Sequence, residues 1–171
     1  MENKLKIIRP AHNLPATKAR SWKEIKDQAL ALRQLIIGGG FEGMYSRAYA
    51  ISHAQVSDEP KWFFVVNETL DDEDGKKLVK KIGSWCVINA EIIETNTAVE
   101  WKEACMSFPH RNPKLTDRFL NIKVRYQVPV FGGWFLMWRT KRFEKLIAFM
   151  FQHEQEHAIG KNIYGLTNNQ K

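Results

Sequence analysis

The chain has 171 residues with 44% hydrophobic and 12% aromatic content, which excludes a disordered or collagen-like polymer and is enough for one sizeable core. Two cysteines rule out a disulfide framework and point to a reducing compartment, here taken as cytoplasmic. The net charge of +7 favours an acidic partner such as RNA or the ribosome surface. The basic residues read as scattered, without a basic stripe interleaved with aromatics, so neither a specific nucleic acid nor a membrane is expected as partner.

The N-terminus has no apolar stretch of signal-peptide length, and the apolar run 131–138 is too short to span a bilayer. Ser21, followed three residues later by Glu24, opens a helix over 22–37, with Ile25, Ala29, Leu32 and Ile36 on one face. Glycines end it. Gly38, Gly40 and Gly43 fit a nucleotide-loop pattern, but they follow a helix, not a strand, and a nucleotide site is rejected.

Residues 62–66 and 85–89 read as strands, separated by a charged connection over 71–81 whose register fits no calcium loop. Cys86 reads as a small buried side chain. Ile122, Val124, Tyr126, Val128 and Val130 alternate with polar residues, giving a strand with one buried face, and Pro129 places its end near an edge. Gly132 and Gly133 turn the chain into a second hairpin strand over 134–138. A buried helix follows, with Thr140 as candidate cap and Gly160 as its stop. The order predicts one α+β domain over 1–171, with antiparallel strands packed around a central helix.

That helix carries His153-Glu154-Gln155-Glu156-His157, an HExxH pattern. Residues i and i+4 share one helix face, so His153 and His157 can hold one ion while Glu154 takes a proton from water. Only fourteen residues follow His157, and none is His, Asp, Glu or Cys, so any third ligand comes from upstream.

Glu103-Ala104-Cys105-Met106-Ser107 resembles the EGCLS motif of the peptide deformylases, whose cysteine is the third metal ligand. The similarity extends to Gln152 before His153, to the segment from Val87 to Ile93, and to Arg118 with Ile122, Val124 and Tyr126. A degraded form of the first family motif, G-x-G-L-A-A-P-Q, aligns with residues 48–55 and keeps Gln55. The resemblance implies a hydrolase that removes the formyl group from the initiator methionine of nascent polypeptides.

It further implies Cys105, His153 and His157 as ligands of one divalent ion. Fe(II) is the usual native metal of the family, with Zn(II), Ni(II) or Co(II) as alternatives that these ligand types also accept. Glu154 is implied as general base, and the Gln55 amide with the Met106 backbone N–H as oxyanion donors. Tyr49, Ala50, Glu103, Ala104, Phe149 and Met150 are implied at the substrate, with Arg118 as partner of Glu103.

The sequence departs from the family at Ala48 and Ala50, where glycines are usual, at His53-Ala54, at Ala104 and at Glu156. His53 reads as an exposed polar residue, and Glu156 as a group behind the ligands. The short segment after Gly160 resembles compact members without the C-terminal helix. Two alternatives stay open: a related metal hydrolase acting on another formamide or amide, and an inactive nascent-chain-binding homologue. An unrelated zincin protease leaves Cys105 unexplained.

Overall fold

A computed structural model describes residues 14–38, 48–108 and 111–165. Helix α1 (Trp22–Ile37) is followed by β1 (Ala50–Ser52), β2 (Phe63–Val66), α2 (Leu78–Ile82), β3 (Cys86–Glu103), β4 (Lys114–Val130), β5 (Phe135–Glu144) and α3 (Lys145–Ala158). The five strands form one sheet in chain order, each antiparallel to its neighbour. This is an α+β fold. Two of the glycines in the rejected nucleotide pattern, Gly40 and Gly43, lie outside the described residues.

Helix α1 starts where the capping signal places it. Ser21 accepts the Glu24 N–H at 3.3 Å, but the Glu24 carboxylate turns to the Arg20 N–H at 2.7 Å, so only half of a capping box forms. Ile25, Ala29, Leu32 and Ile36 are buried against Ile51, Phe63, Val65 and Ile88. The opposite sheet face, with Phe64, Val66, Val124 and Tyr126, packs on α3 through Ile147, Ala148 and Phe151. β2 is therefore apolar at every position because both of its faces are covered. Phe151 meets Phe64 edge-on at 5.2 Å and stacks on Phe143 at 5.0 Å, anchoring α3 to the sheet.

Three expected boundaries are corrected. Thr140 does not cap α3: it lies in β5, and Glu144 holds the N-cap position without a side-chain bond. The charged connection over 71–81 contains the start of α2. β3 runs to Glu103 and β4 begins at Lys114, so two long strand arms extend past the packed core. Residues 94–100 of β3 show no apolar period because most of them face solvent. Pro129 lies where β4 has only β5 beside it, since the β3 pairing stops at Gln127.

Two side chains lock the segments that carry the site. Asn89 adopts φ 50°, a conformation that Asn tolerates better than most residues. Its amide bonds the Ala19 backbone in both directions, at 2.9 and 2.8 Å, and reaches Gln127 at 2.7 Å. Gln152 does the same for α3, accepting the Phe119 N–H and donating to the Phe119 carbonyl, both at 2.8 Å. This holds the helix turn bearing His153 against β4.

Candidate metal centre and active site

α3 presents His153 and His157 one turn apart, and the turn after β3 brings Cys105 to them. The turn is closed by the Phe108 N–H on the Cys105 carbonyl at 2.9 Å. His157 Nε2 lies 3.3 Å from Cys105 Sγ and 3.2 Å from His153 Nε2, and all three donor atoms fall within 4.8 Å of one another. Imidazole nitrogens around a tetrahedral ion at about 2.0 Å stand roughly 3.3 Å apart. The donor set therefore fits a divalent ion of the Cys-His-His type in both chemistry and spacing. Burial alone would raise the Cys105 thiol, but the imidazoles of His157 and His153 outweigh it and hold the thiol well below its ordinary range.

Glu154 is 3% exposed, and its Oε2 has no hydrogen-bond partner among the described residues. Burial pushes this carboxyl up, and the two imidazoles pull it back without cancelling that rise. A buried carboxylate with a free lone pair beside metal donors is suited to receiving a proton.

Glu103 stands behind His153. Its Oε2 lies 3.4 Å from His153 Nδ1, and its Oε1 accepts from Thr116 at 2.9 Å and from Arg118. With Nδ1 engaged there, Nε2 faces the other donors. Arg118 is 6% exposed and also forks onto Glu156 at 2.6 and 2.9 Å, so one guanidinium joins the Cys105 turn to α3. Burial disfavours the Arg118 charge, but Glu156 and Glu103 outweigh this and raise its pKa.

Gln55 approaches from the other side, on a short 3₁₀ turn over His53–Gln55 after β1. Its Oε1 takes the Ser52 N–H at 2.9 Å, while Ser52 Oγ caps the turn. That leaves Nε2 to donate to Ser107 Oγ at 3.0 Å and to face Cys105 Sγ at 4.0 Å. His53 is corrected: it is 2% exposed, its Nδ1 accepts the Lys61 N–H at 3.0 Å, and its ring stacks on Phe63 at 4.7 Å. Burial first and Lys61 second push its pKa down to about 4.

A cavity of about 610 Å³ opens onto Cys105, His153 and Glu154. Its walls include Tyr49, Ala50, Gln55, Glu103, Ala104, Met106, Phe149 and Met150, the residues singled out from the sequence. Sequence reasoning missed Trp101, which stacks on Phe149 at 4.6 Å, together with Arg111 and Leu146 on the same walls. It also missed Ser52 and Ser107, the two partners of Gln55. The Ser52-x-x-Gln55 capping-box spacing was a readable signal for the first of these. A larger, open depression of about 900 Å³ lies elsewhere, lined by charged residues such as Glu94, Lys123 and Arg142, and contains no Cys or His.

A family profile for polypeptide deformylase matches residues 5–171. The chain belongs to the polypeptide deformylase family. A peptide deformylase of Wolbachia pipientis subsp. Culex pipiens is 28% identical over 162 residues, covering 90% of this chain and 81% of that protein. Among solved structures, a plant peptide deformylase aligns with a TM-score of 0.71 at 19% identity, covering 99% of this chain and 84% of its own. The peptide deformylase of Thermotoga maritima aligns at 0.66 with 22% identity, over 91% of this chain and 88% of its own. The enzyme from the Vibrio parahaemolyticus bacteriophage VP16T, in complex with actinonin, aligns at 0.65 with 21% identity, over 95% and 100%. The protein is thus an enzyme of the peptide deformylase type, and the family implies a divalent metal ion, which the group of Cys105, His153 and His157 among the described residues could hold. No helix of the described residues is long and apolar enough to cross a membrane.

Proposed function

We propose that this enzyme hydrolyses the N-terminal formamide of formyl-methionine peptides, releasing formate and a free amino terminus, within one domain spanning 1–171. The observation that carries the reading is the convergence of Cys105, His153 and His157 beside an unpartnered Glu154 carboxylate oxygen, at the floor of an apolar cavity.

One divalent ion on these donors, Fe(II) foremost, would supply the Lewis acid that makes water nucleophilic near neutral pH. Zn(II), Ni(II) or Co(II) suit the same ligands. Glu154 accepts the proton of the attacking water and passes it to the leaving nitrogen as the formyl C–N bond breaks. The oxygen that gains charge is met by the Gln55 Nε2 donor, aimed in advance by Ser52, and by the Met106 backbone N–H. Glu103 orients His153 and lines the cavity that takes the substrate, while Arg118 holds Glu103 in place.

The methionine side chain sits against Phe149 and Met150, with Tyr49 and Met106 flanking and Trp101 backing Phe149. Among the described residues β1 is an edge strand beside β2, and the Tyr49 carbonyl is taken by the Asn67 N–H at 2.8 Å, so a peptide main chain can add along the outer side at Ala50. Ala50 is 6% exposed and carries a methyl where the family has glycine, which limits close approach. That departure favours a second reading, in which the same site takes a different formamide or amide. Glu154 and Gln55 argue against a binding-only homologue. The ribosome surface is a candidate partner that the charge of +7 favours.

The test is formate release from formyl-Met-Ala by anaerobically purified protein, with metal content measured on the same sample. Turnover is expected. A metal-loaded protein that is inactive on all formyl-Met peptides overturns the reading and leaves the altered-substrate one.

A further inference from the structure

Outside the catalytic cavity, the most exposed large apolar side chains of the described residues gather at one place. Phe131 is 82% exposed, Trp134 84% and Phe135 63%, all at the turn between β4 and β5. Turns on a surface ordinarily carry small polar residues. The turn is also built into a fixed shape. Gly133 adopts φ 93°, and a Cβ there would come within 1.9 Å of the Trp22 indole, so the tip is seated on the start of α1. Phe131 is held at φ 50°, a conformation that bulky residues rarely take. The rings project from a packed support.

The surroundings are basic. The paired β4–β5 hairpin, residues 121–144, holds five Lys and Arg against one Glu. Cross-strand pairing places these cations on one hairpin. Lys123 and Arg142 share the single carboxylate of Glu94. Arg125 lies over the Trp138 ring at 4.4 Å, while Arg139 and Lys141 reach the carbonyls of Gly83 and Lys81. Lys23 and Lys26 follow Trp22 on α1, both exposed.

We propose that the β4–β5 tip docks this protein on an anionic lipid surface, with Phe131, Trp134 and Phe135 entering the headgroup layer and the flanking cations facing lipid phosphates. Aromatic rings with apolar bodies settle at that depth, and basic residues within a Debye length add attraction. The shape favours lipid over RNA. Bases stack on rings lining a basic groove, whereas these rings crown a convex turn. A second copy is disfavoured because it brings the same positive hairpin. β4 begins beside Glu103 and ends at the tip, so the docked face and the cavity mouth lie at opposite ends of a 17-residue strand.

The experiment is co-sedimentation of the purified full chain with vesicles of phosphatidylcholine alone or with 30% phosphatidylglycerol, at low and high salt. Binding to the anionic vesicles that weakens with salt is expected. The triple variant Phe131→Ser, Trp134→Ser, Phe135→Ser should bind at least tenfold more weakly, with formate release in solution unchanged. Should that variant fail to fold, Trp134→Ser alone carries the same test, with a smaller expected loss. No sedimentation with anionic vesicles, equal binding to both lipids, or binding that ignores these substitutions overturns the proposal. So does binding of a single-stranded RNA oligonucleotide, or a concentration-dependent dimer, that the substitutions abolish while vesicles are never bound.

Discussion

Gln55 donates from Nε2 to Ser107 Oγ at 3.0 Å, two residues past Cys105. With Ser52 holding Oε1, neither end of the amide is free to flip. A donor held this way needs no reorganisation when charge appears on the substrate oxygen. Gln55→Ala is therefore expected to lower kcat by about 10²–10³-fold while changing KM less. Ser107→Ala should cost less, because it frees the donor without removing it. Steady-state kinetics on formyl-Met-Ala separate the two, and a pure KM effect in Gln55→Ala would make the amide a ground-state contact.

Cys105→Ala and His157→Ala each leave two donors where three stand within 4.8 Å. Both variants should lose nearly all bound metal in elemental analysis and become inactive. Full metal content in Cys105→Ala removes the thiolate from the site.

Glu154→Gln keeps the shape of the buried side chain but cannot accept a proton. Metal content should stay near wild type, with turnover lower by about 10²–10⁴-fold. Near-normal rates in a metal-loaded variant contradict the general-base role.

Arg118 faces two carboxylates from a site that is 6% exposed. Arg118→Met strands both charges, and a loss of about 3–5 kcal/mol is expected from urea unfolding. Arg118→Lys should recover only part of this, since an ammonium cannot fork onto both partners. A change below about 1 kcal/mol would mean that the network is solvated after all.

His53 predicts a pH dependence. Its folded pKa, about 4, lies below the ordinary 6.5, so the unfolded chain binds the extra proton first. Its contribution is present above pH 6.5 and is lost as pH falls toward 4. The shift corresponds to up to about 3 kcal/mol. His53→Asn should unfold with a flatter stability profile between pH 6.5 and 4.5. An unchanged slope would place the acid sensitivity elsewhere.

What the sequence determined by itself is what depends on local spacing. Ser21 and Glu24 with four apolar residues in period specified α1, whose bounds agree with the 22–37 reading. HExxH placed two imidazoles on one helix face because 3.6 residues make a turn. Alternation from Ile122 to Val128 marked the buried face of β4. Contacts that close over long separations were decided only in the folded chain. Cys105 meets His157 across 52 residues, and nothing local brings them together except the β3–β4 arms and the Gln152 clamp. Thr140 joined β5 because pairing with Arg125 outweighed its value as a cap. His53 was buried because stacking on Phe63 and the Lys61 N–H satisfy a ring that polarity alone would leave in water. Residues 94–103 became strand because β4 supplies their hydrogen bonds, although solvent faces most of their side chains, so periodicity had nothing to report.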